Sequence, residues 1–280
     1  MNTNLRIVLA APPDAVLLRL YQRGTTQTRR DIALREAALD RLVHARVPTA
    51  RFLHVAPDNP VNGAPYAVLQ WVTGTRLDHA APESDATTGA AVGRTLADIH
   101  AFRFPRAGFF TPTLQLPNAI DLDAPALLRF MQHCLIDNGG GAQLGAELTQ
   151  RLFAFVRDHG HRLDAWLGDP RLTHADFNPS NILLSNNSVA AVLDWEFALS
   201  ATPAFDFGNL LRPPLGNRPA FVNALERGYR DHGGHLPPDW QRIARIADLF
   251  SWTDLLGQRT VDPALAADAR AVIAAIIEPR

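Results

Sequence analysis

The sequence predicts an α+β protein of two lobes, a small antiparallel-sheet lobe over residues 1–72 and a larger helical lobe over 73–280. Three observations lead there. Short apolar runs of strand length, separated by turn residues, are concentrated in the first quarter of the chain. Helical periodicity dominates from about residue 87 onward. One polar loop followed by a hairpin pattern, at 172–194, interrupts the helical part.

The elements follow in order. NLRIVLA (4–10) and AVLLRLY (15–21) read as strands separated by Pro12-Pro13-Asp14, a turn signal. Asp31 is placed to cap a helix running to about Arg46, with Ile32, Glu36, Leu39 and Val43 on one face. RFLHVA (51–56) and YAVLQWV (66–72) are two further strands, the second ended by Thr73-Gly74-Thr75. Helices are expected at about 87–102, 124–137, 143–167, 219–232, 239–257 and 263–277. Between them, ILL and VAAVLD flank Ser185-Asn186-Asn187-Ser188 and read as a β-hairpin.

Composition narrows the function. Of 280 residues, 47% are apolar and 20% charged, with a net charge of −1, so neither a nucleic-acid field nor a disordered chain is implied. No apolar run is long enough to span a membrane, and the N-terminus lacks a secretory signal, so a cytoplasmic protein is expected. A single cysteine, Cys134, excludes an internal disulfide and a cysteine-based zinc site. All 27 fixed basic residues are arginine, and any fixed cation must therefore be a guanidinium.

The chemistry lies in LTHADFNPSNILL, residues 172–184. His174, Asp176 and Asn181, followed by Asp194 at the end of the hairpin, reproduce H-x-D-x-x-x-x-N and the strand-terminal aspartate of kinase catalytic loops. Phosphoryl transfer needs a carboxylate to orient an acceptor hydroxyl and hard oxygen ligands for magnesium. Asp176 suits the first task; Asn181 and Asp194 suit the second. His174 is expected to be a buried residue bonding the loop backbone. On the nucleotide side, Arg19 on the 15–21 strand and Glu36 on the following helix suit the cation and acid of a kinase N-lobe.

HADFNPSNILL, LDWEFA and FDFGNLLR resemble the aminoglycoside phosphotransferase and choline kinase family, over about residues 4–212. The resemblance implies a protein-kinase-like fold, ATP as phosphoryl donor, Mg2+, and a small-molecule acceptor such as an aminoglycoside or amino-alcohol. It implies a hinge at Gln70-Trp71-Val72 meeting the adenine, with Leu183 and Leu193 as its apolar floor, and Asp206 as a carboxylate bracing the catalytic loop. Only eleven residues separate Asp194 from Asp206 and no A-P-E element follows, which leaves no room for a peptide platform. Cationic acceptors call for acids and aromatics. Glu196, Asp248, Asp254, Trp195 and Trp252 are candidates, although a solvated helix face is the plainer reading of Asp248 and Asp254. Asn2-Thr3-Asn4 resembles the exit of a phosphate-covering loop, so the first strand of the lobe is expected to be missing. Three readings stay open on that point: a start upstream, weak ATP binding, or a non-catalytic pseudokinase. Oligomeric state is equally open, with the uncovered strand edge as one conceivable contact.

Overall fold

The computed structural model describes residues 2–22, 24–59 and 63–278. Strands β1 (Thr3–Val8) and β2 (Ala15–Leu20) form an antiparallel pair. Helix α1 (Thr26–Val43) follows, then β3 (Phe52–Ala56) and β4 (Tyr66–Gln70). The sheet order is β1-β2-β4-β3, antiparallel throughout, with Leu18 opposite Val68. Helix α1 begins before Asp31. Thr25 is its cap, accepting from Thr28 N, and Asp31 lies inside the first turns bonded to Gln27. Thr25, six positions before Asp31, satisfies one of the orphan donors that Asp31 was expected to satisfy.

The chain passes through β5 (Thr75–Arg76) into α2 (Asp85–His100), β6 (Gly108–Phe109) and α3 (Ala124–Met131). Residues 132–137 continue α3 as a π-helical turn. The helix expected over 143–167 is divided into α4 (Gly141–Leu144), α5 (Ala146–His159) and a 3-10 stretch to Trp166. Gly145 makes the first break, at φ +82°, a conformation a side chain resists. After β7 (Arg171–Thr173) comes the hairpin of β8 (Ile182–Ser185) and β9 (Ser188–Val192). Asn186 and Asn187 both have positive φ, as a tight hairpin turn requires. The chain closes with β10 (Leu199–Ala201), α6 (Ala204–Leu210), α7 (Pro219–Asp231), α8 (Trp240–Leu256) and α9 (Pro263–Ile277).

Two small sheets frame the loop between β7 and β8. One is ordered β6-β10-β7, the other β5-β8-β9. These strands of two to five residues hold the 174–181 segment at both ends. The larger apolar core fills the helical part, while a smaller one of Tyr21, Ala33, Ala50, Ala67 and Leu69 lies under the first sheet. The two parts are joined by backbone contacts as well: Val192 N donates to Pro48 O at 2.9 Å, and Thr49 bridges to Val192. Among the described residues no helix is long and apolar enough to cross a membrane.

Candidate active site

The loop that leaves β7 turns sharply because Ala175 takes φ +62°. Its shape is set from below by Asp206 on α6, which is wholly buried and accepts from His174 N at 2.9 Å and Ala175 N at 2.8 Å. A buried carboxylate without such donors would be strongly unfavourable. His174 is also buried; its Nε2 donates to Leu193 O at 2.8 Å, and its Nδ1 accepts from Asp176 N. It joins the loop to the end of β9.

Asp176 is half-buried and held at both oxygens. Asn178 Nδ2 donates to Oδ1 at 2.8 Å, and Asn181 Nδ2 donates to Oδ2 at 2.9 Å. Burial pushes the Asp176 carboxyl above its ordinary value; His174 and the two amide donors oppose that, and the charge of Asp194 adds to it. Asn178, which the motif does not mark, also caps the turn by accepting from Ser180 N at 3.0 Å. Its signal was available in Asn178-Pro179, a turn-starting pair.

Leu193 N donates to Asn181 O at 2.8 Å, so the hairpin returns Asp194 to the loop. Asp194 sits at φ +63° and points at Arg19, whose Nη2 lies 2.5 Å from Oδ1. Arg19 Nε also faces Glu36 Oε2 at 3.3 Å as an ion pair without an aligned hydrogen bond. Arg19 and Glu36 are 5% and 3% exposed, so the pair is interior rather than a surface contact. Burial works against the Arg19 charge, but Glu36 and Asp194 outweigh it and hold the guanidinium above its usual range. Burial likewise pushes the Glu36 carboxyl up to about 7 against the pull of Arg19.

Val72 and Leu193 both pack against the small core beneath the first sheet, bringing the segment after β4 and the end of β9 to one apolar wall. Leu183 is half-buried on β8, opposite Ala191. Gly74 lets the chain cross directly over it, since a Cβ there would lie 2.8 Å from Leu184 O. Gln70 N donates to Arg51 O at 2.8 Å within the sheet, so Val72 is the position whose backbone stands outside the ladder.

The residues expected around a cationic acceptor are placed differently. Asp248 is 2% exposed and bonded to Arg212 and Asn209, neither solvated nor open to a ligand. Trp252 is covered by Arg212, 4.3 Å above its ring. Trp195 is buried against His174 and donates to Val192 O. Glu196 accepts from Asn2 Nδ2 at 3.0 Å, while Asp254 is exposed on α8. Helical periodicity could not show these positions because the arginine that covers α8 comes from the end of α6.

Asn181 uses its Nδ2 on Asp176, which leaves its carbonyl oxygen for a cation, beside the carboxylate of Asp194. Among the described residues no group of three or more His, Cys, Asp or Glu side chains is placed to hold a metal. Few protein oxygens of hard character fit a magnesium ion that keeps waters and takes substrate phosphates as further ligands.

A small antiparallel sheet over a helical body, with an Asp-Asn loop and strand-terminal Asp between them, is the arrangement of kinase-like phosphotransferases. The comparisons agree. The model of the phosphotransferase enzyme family, APH, matches residues 2–246, and the chain belongs to that family. Solved structures share the fold. A thermostable mutant of aminoglycoside phosphotransferase APH(4)-Ia, in ternary complex with AMP-PNP and hygromycin B, is 19% identical with a TM-score of 0.68, covering 98% of this chain and 93% of that one. The macrolide 2′-phosphotransferase MphH from Brachybacterium faecium is 18% identical with a TM-score of 0.60, covering 100% and 92%. The GDP complex of aminoglycoside 2′-phosphotransferase-IIIa is 16% identical with a TM-score of 0.69, covering 98% and 89%.

Proposed function

We propose that this chain transfers the γ-phosphoryl group of ATP to a hydroxyl of a small molecule. The observation that carries this reading is Asp176, held at both oxygens by Asn178 and Asn181 and facing the Asp194–Arg19–Glu36 array. Residues 1–72 act as the nucleotide lobe and 73–280 carry the loop and the acceptor side. Val72, Leu183 and Leu193 contact the adenine, with Gln70 at the hinge, and Arg19 holds the α- and β-phosphates through its planar fork. Asn181 and Asp194 hold Mg2+, which when bound neutralises charge on the phosphate oxygens.

Asp176 accepts a hydrogen bond from the acceptor hydroxyl, aligns its oxygen with the γ-phosphorus, and takes the proton as the new P–O bond forms, the bond to the β,γ-bridging oxygen breaks and ADP leaves. Its elevated carboxyl value makes it a better proton acceptor than a solvated aspartate once it is ionised. The acceptor class follows the relatives: APH(4)-Ia is seen with hygromycin B, MphH is a macrolide phosphotransferase, and amino-alcohols fit the same chemistry. The test is magnesium-dependent consumption of ATP by the purified chain against aminoglycosides, macrolides and amino-alcohols, with Asp176→Ala as control. Turnover lost in the variant supports the proposal. Nucleotide binding without turnover on any acceptor returns the non-catalytic reading.

A further inference from the structure

A cavity of about 410 Å3 lies behind the loop, where residues from five separate segments of the chain meet. It is bounded by the end of α2, by Tyr229 on α7, by Trp166 and Leu167, and by the turn Gly233-Gly234-His235. Gly233 has φ +87°, and a Cβ on Gly234 would lie 2.3 Å from the Tyr229 ring, so glycine is what lets this turn close over the tyrosine. None of the residues proposed for nucleotide, metal or acceptor lines the cavity. Asp206 stands between it and the loop backbone, since His100 on the cavity wall meets that carboxylate at 3.0 Å.

The charge around the cavity is unbalanced. Arg46 follows α1, Arg103 follows α2 and Arg171 opens β7, and these three guanidiniums share two carboxylates. Asp98 on α2 accepts from Arg46 Nε at 2.9 Å and from His232 Nε2 at 3.1 Å. Asp169 accepts from Arg103 Nη1 at 3.2 Å and from Arg171 Nη2. One positive charge is left uncompensated, in a chain whose net charge is −1. Arg171 is the inner member, 17% exposed and anchored by Nη1 donating to His100 O at 2.7 Å. Arg46 bonds through Nε alone and Arg103 through Nη1 alone. Among the described residues, their remaining N–H groups and the His235 ring have no protein partner. An arginine carries five donors, so most of the capacity of Arg46 and Arg103 is unused.

We propose that this cavity is a second ligand site, which binds a small organic molecule carrying a phosphate group. Arg46 and Arg103 take the phosphate oxygens through their planar forks, and Arg171 contributes charge from within. The volume is that of a small-molecule site rather than of a bare anion, and Trp166, Leu167 and Pro203 give the rest of the ligand an apolar wall. An ordinary solvated ion-pair network would leave the same arginines in place and bind nothing saturably.

The experiment is calorimetric titration of the full chain, at low salt, with phenyl phosphate, inorganic phosphate and phenol. Three proteins are compared: the wild type, an Arg46→Gln/Arg103→Gln double variant, and Arg19→Gln. Phenyl phosphate should bind the wild type saturably, inorganic phosphate more weakly, and phenol not at all. The double variant should lose about tenfold or more in affinity for phenyl phosphate, the scale of lost hydrogen bonds to a charged group. Arg19→Gln should keep the wild-type affinity, because the nucleotide cleft takes no part. Arg46 and Arg103 are 54% and 68% exposed, so the double variant should fold, and a urea midpoint checks that. The single Arg103→Gln variant carries the same test, with a smaller loss, where the double variant is unstable. No saturable binding to the wild type overturns the proposal, as does wild-type affinity in the folded double variant. Binding that survives in the double variant and disappears in Arg19→Gln belongs to the nucleotide cleft and overturns it too. Equal affinities for inorganic and phenyl phosphate overturn the organic ligand.

Discussion

At the scale of single residues, Asp176 and Glu36 make opposite predictions about protons. Asp176 must be ionised to accept one, and burial raises its carboxyl value. The rate should therefore fall on acidification through a pKa above that of a solvated aspartate, as the acid limb of a kcat/KM profile would show. Asp176→Asn should remove about 100- to 10,000-fold of kcat, the range for a lost general base. Glu36 bears on stability instead. Its folded-state value of about 7 lies above the ordinary 4.5, so the folded chain binds a proton that the unfolded chain releases. That contribution is complete below about pH 4.5 and is lost as the pH rises through about 7. Glu36→Gln should flatten the wild-type decline between pH 5 and 7.5 in urea unfolding, and parallel slopes for the two proteins would refute the assignment.

At the scale of elements, the interface of α2 and α7 sets the rear of the catalytic loop. Gly93 and Gly228 make that interface a backbone-to-backbone contact. Gly93→Ala gains local helix propensity but forces the helices apart, and overpacking of this kind typically costs about 1–3 kcal/mol. A lower urea midpoint together with a lower kcat is the expected result, because the same displacement separates Tyr229 from His100, whose ring lies 2.9 Å from the Tyr229 hydroxyl and 3.0 Å from the Asp206 carboxylate under the loop. A stabilised Gly93→Ala variant would show that the helices separate freely and that this contact does not define the loop. The hairpin plays the matching part in front. The bond from Leu193 N to Asn181 O, with the left-handed turn at Asp194, brings together the two residues, thirteen positions apart, that are proposed to hold the cation.

At the scale of the whole molecule, the proposed nucleotide site draws on both parts of the chain. Arg19 and Glu36 come from the sheet and α1, Asp194 from the hairpin, and Val72 from the crossing between them. A ligand that bridges the lobes stabilises the folded state by about 2.7 kcal/mol at a hundredfold excess over its Kd. For a chain of this size that corresponds to roughly 5–10 °C in Tm. ATP with magnesium should give a shift of this order in a thermal melt. Asp194→Asn should abolish the part that depends on magnesium and leave a smaller shift from the nucleotide alone. Equal shifts in both proteins would remove Asp194 from the metal site.

The sequence alone determined the first four strands and α1, most of the longer helices, the two-part architecture, and the loop from His174 to Asn181 with its hairpin. Those features depend on local periodicity, turn chemistry and fixed spacing, which neighbouring residues carry. It also marked Arg19 and Glu36, because a charged residue on an apolar helix face requires a partner. Tertiary structure decided the rest. Strands β5, β6, β7 and β10 have two or three residues each, too few to show a period, and exist because the segments around the loop pair across the chain. Asp248 read as lying on a solvated helix face, and Trp252 as a partner for a cationic ligand, because the arginine covering both lies 36 positions or more away. His100 and Tyr229 carry no local signal for the same reason. His100, which ends α2, meets Tyr229 only because a glycine-lined contact brings another helix, 129 residues later, against it.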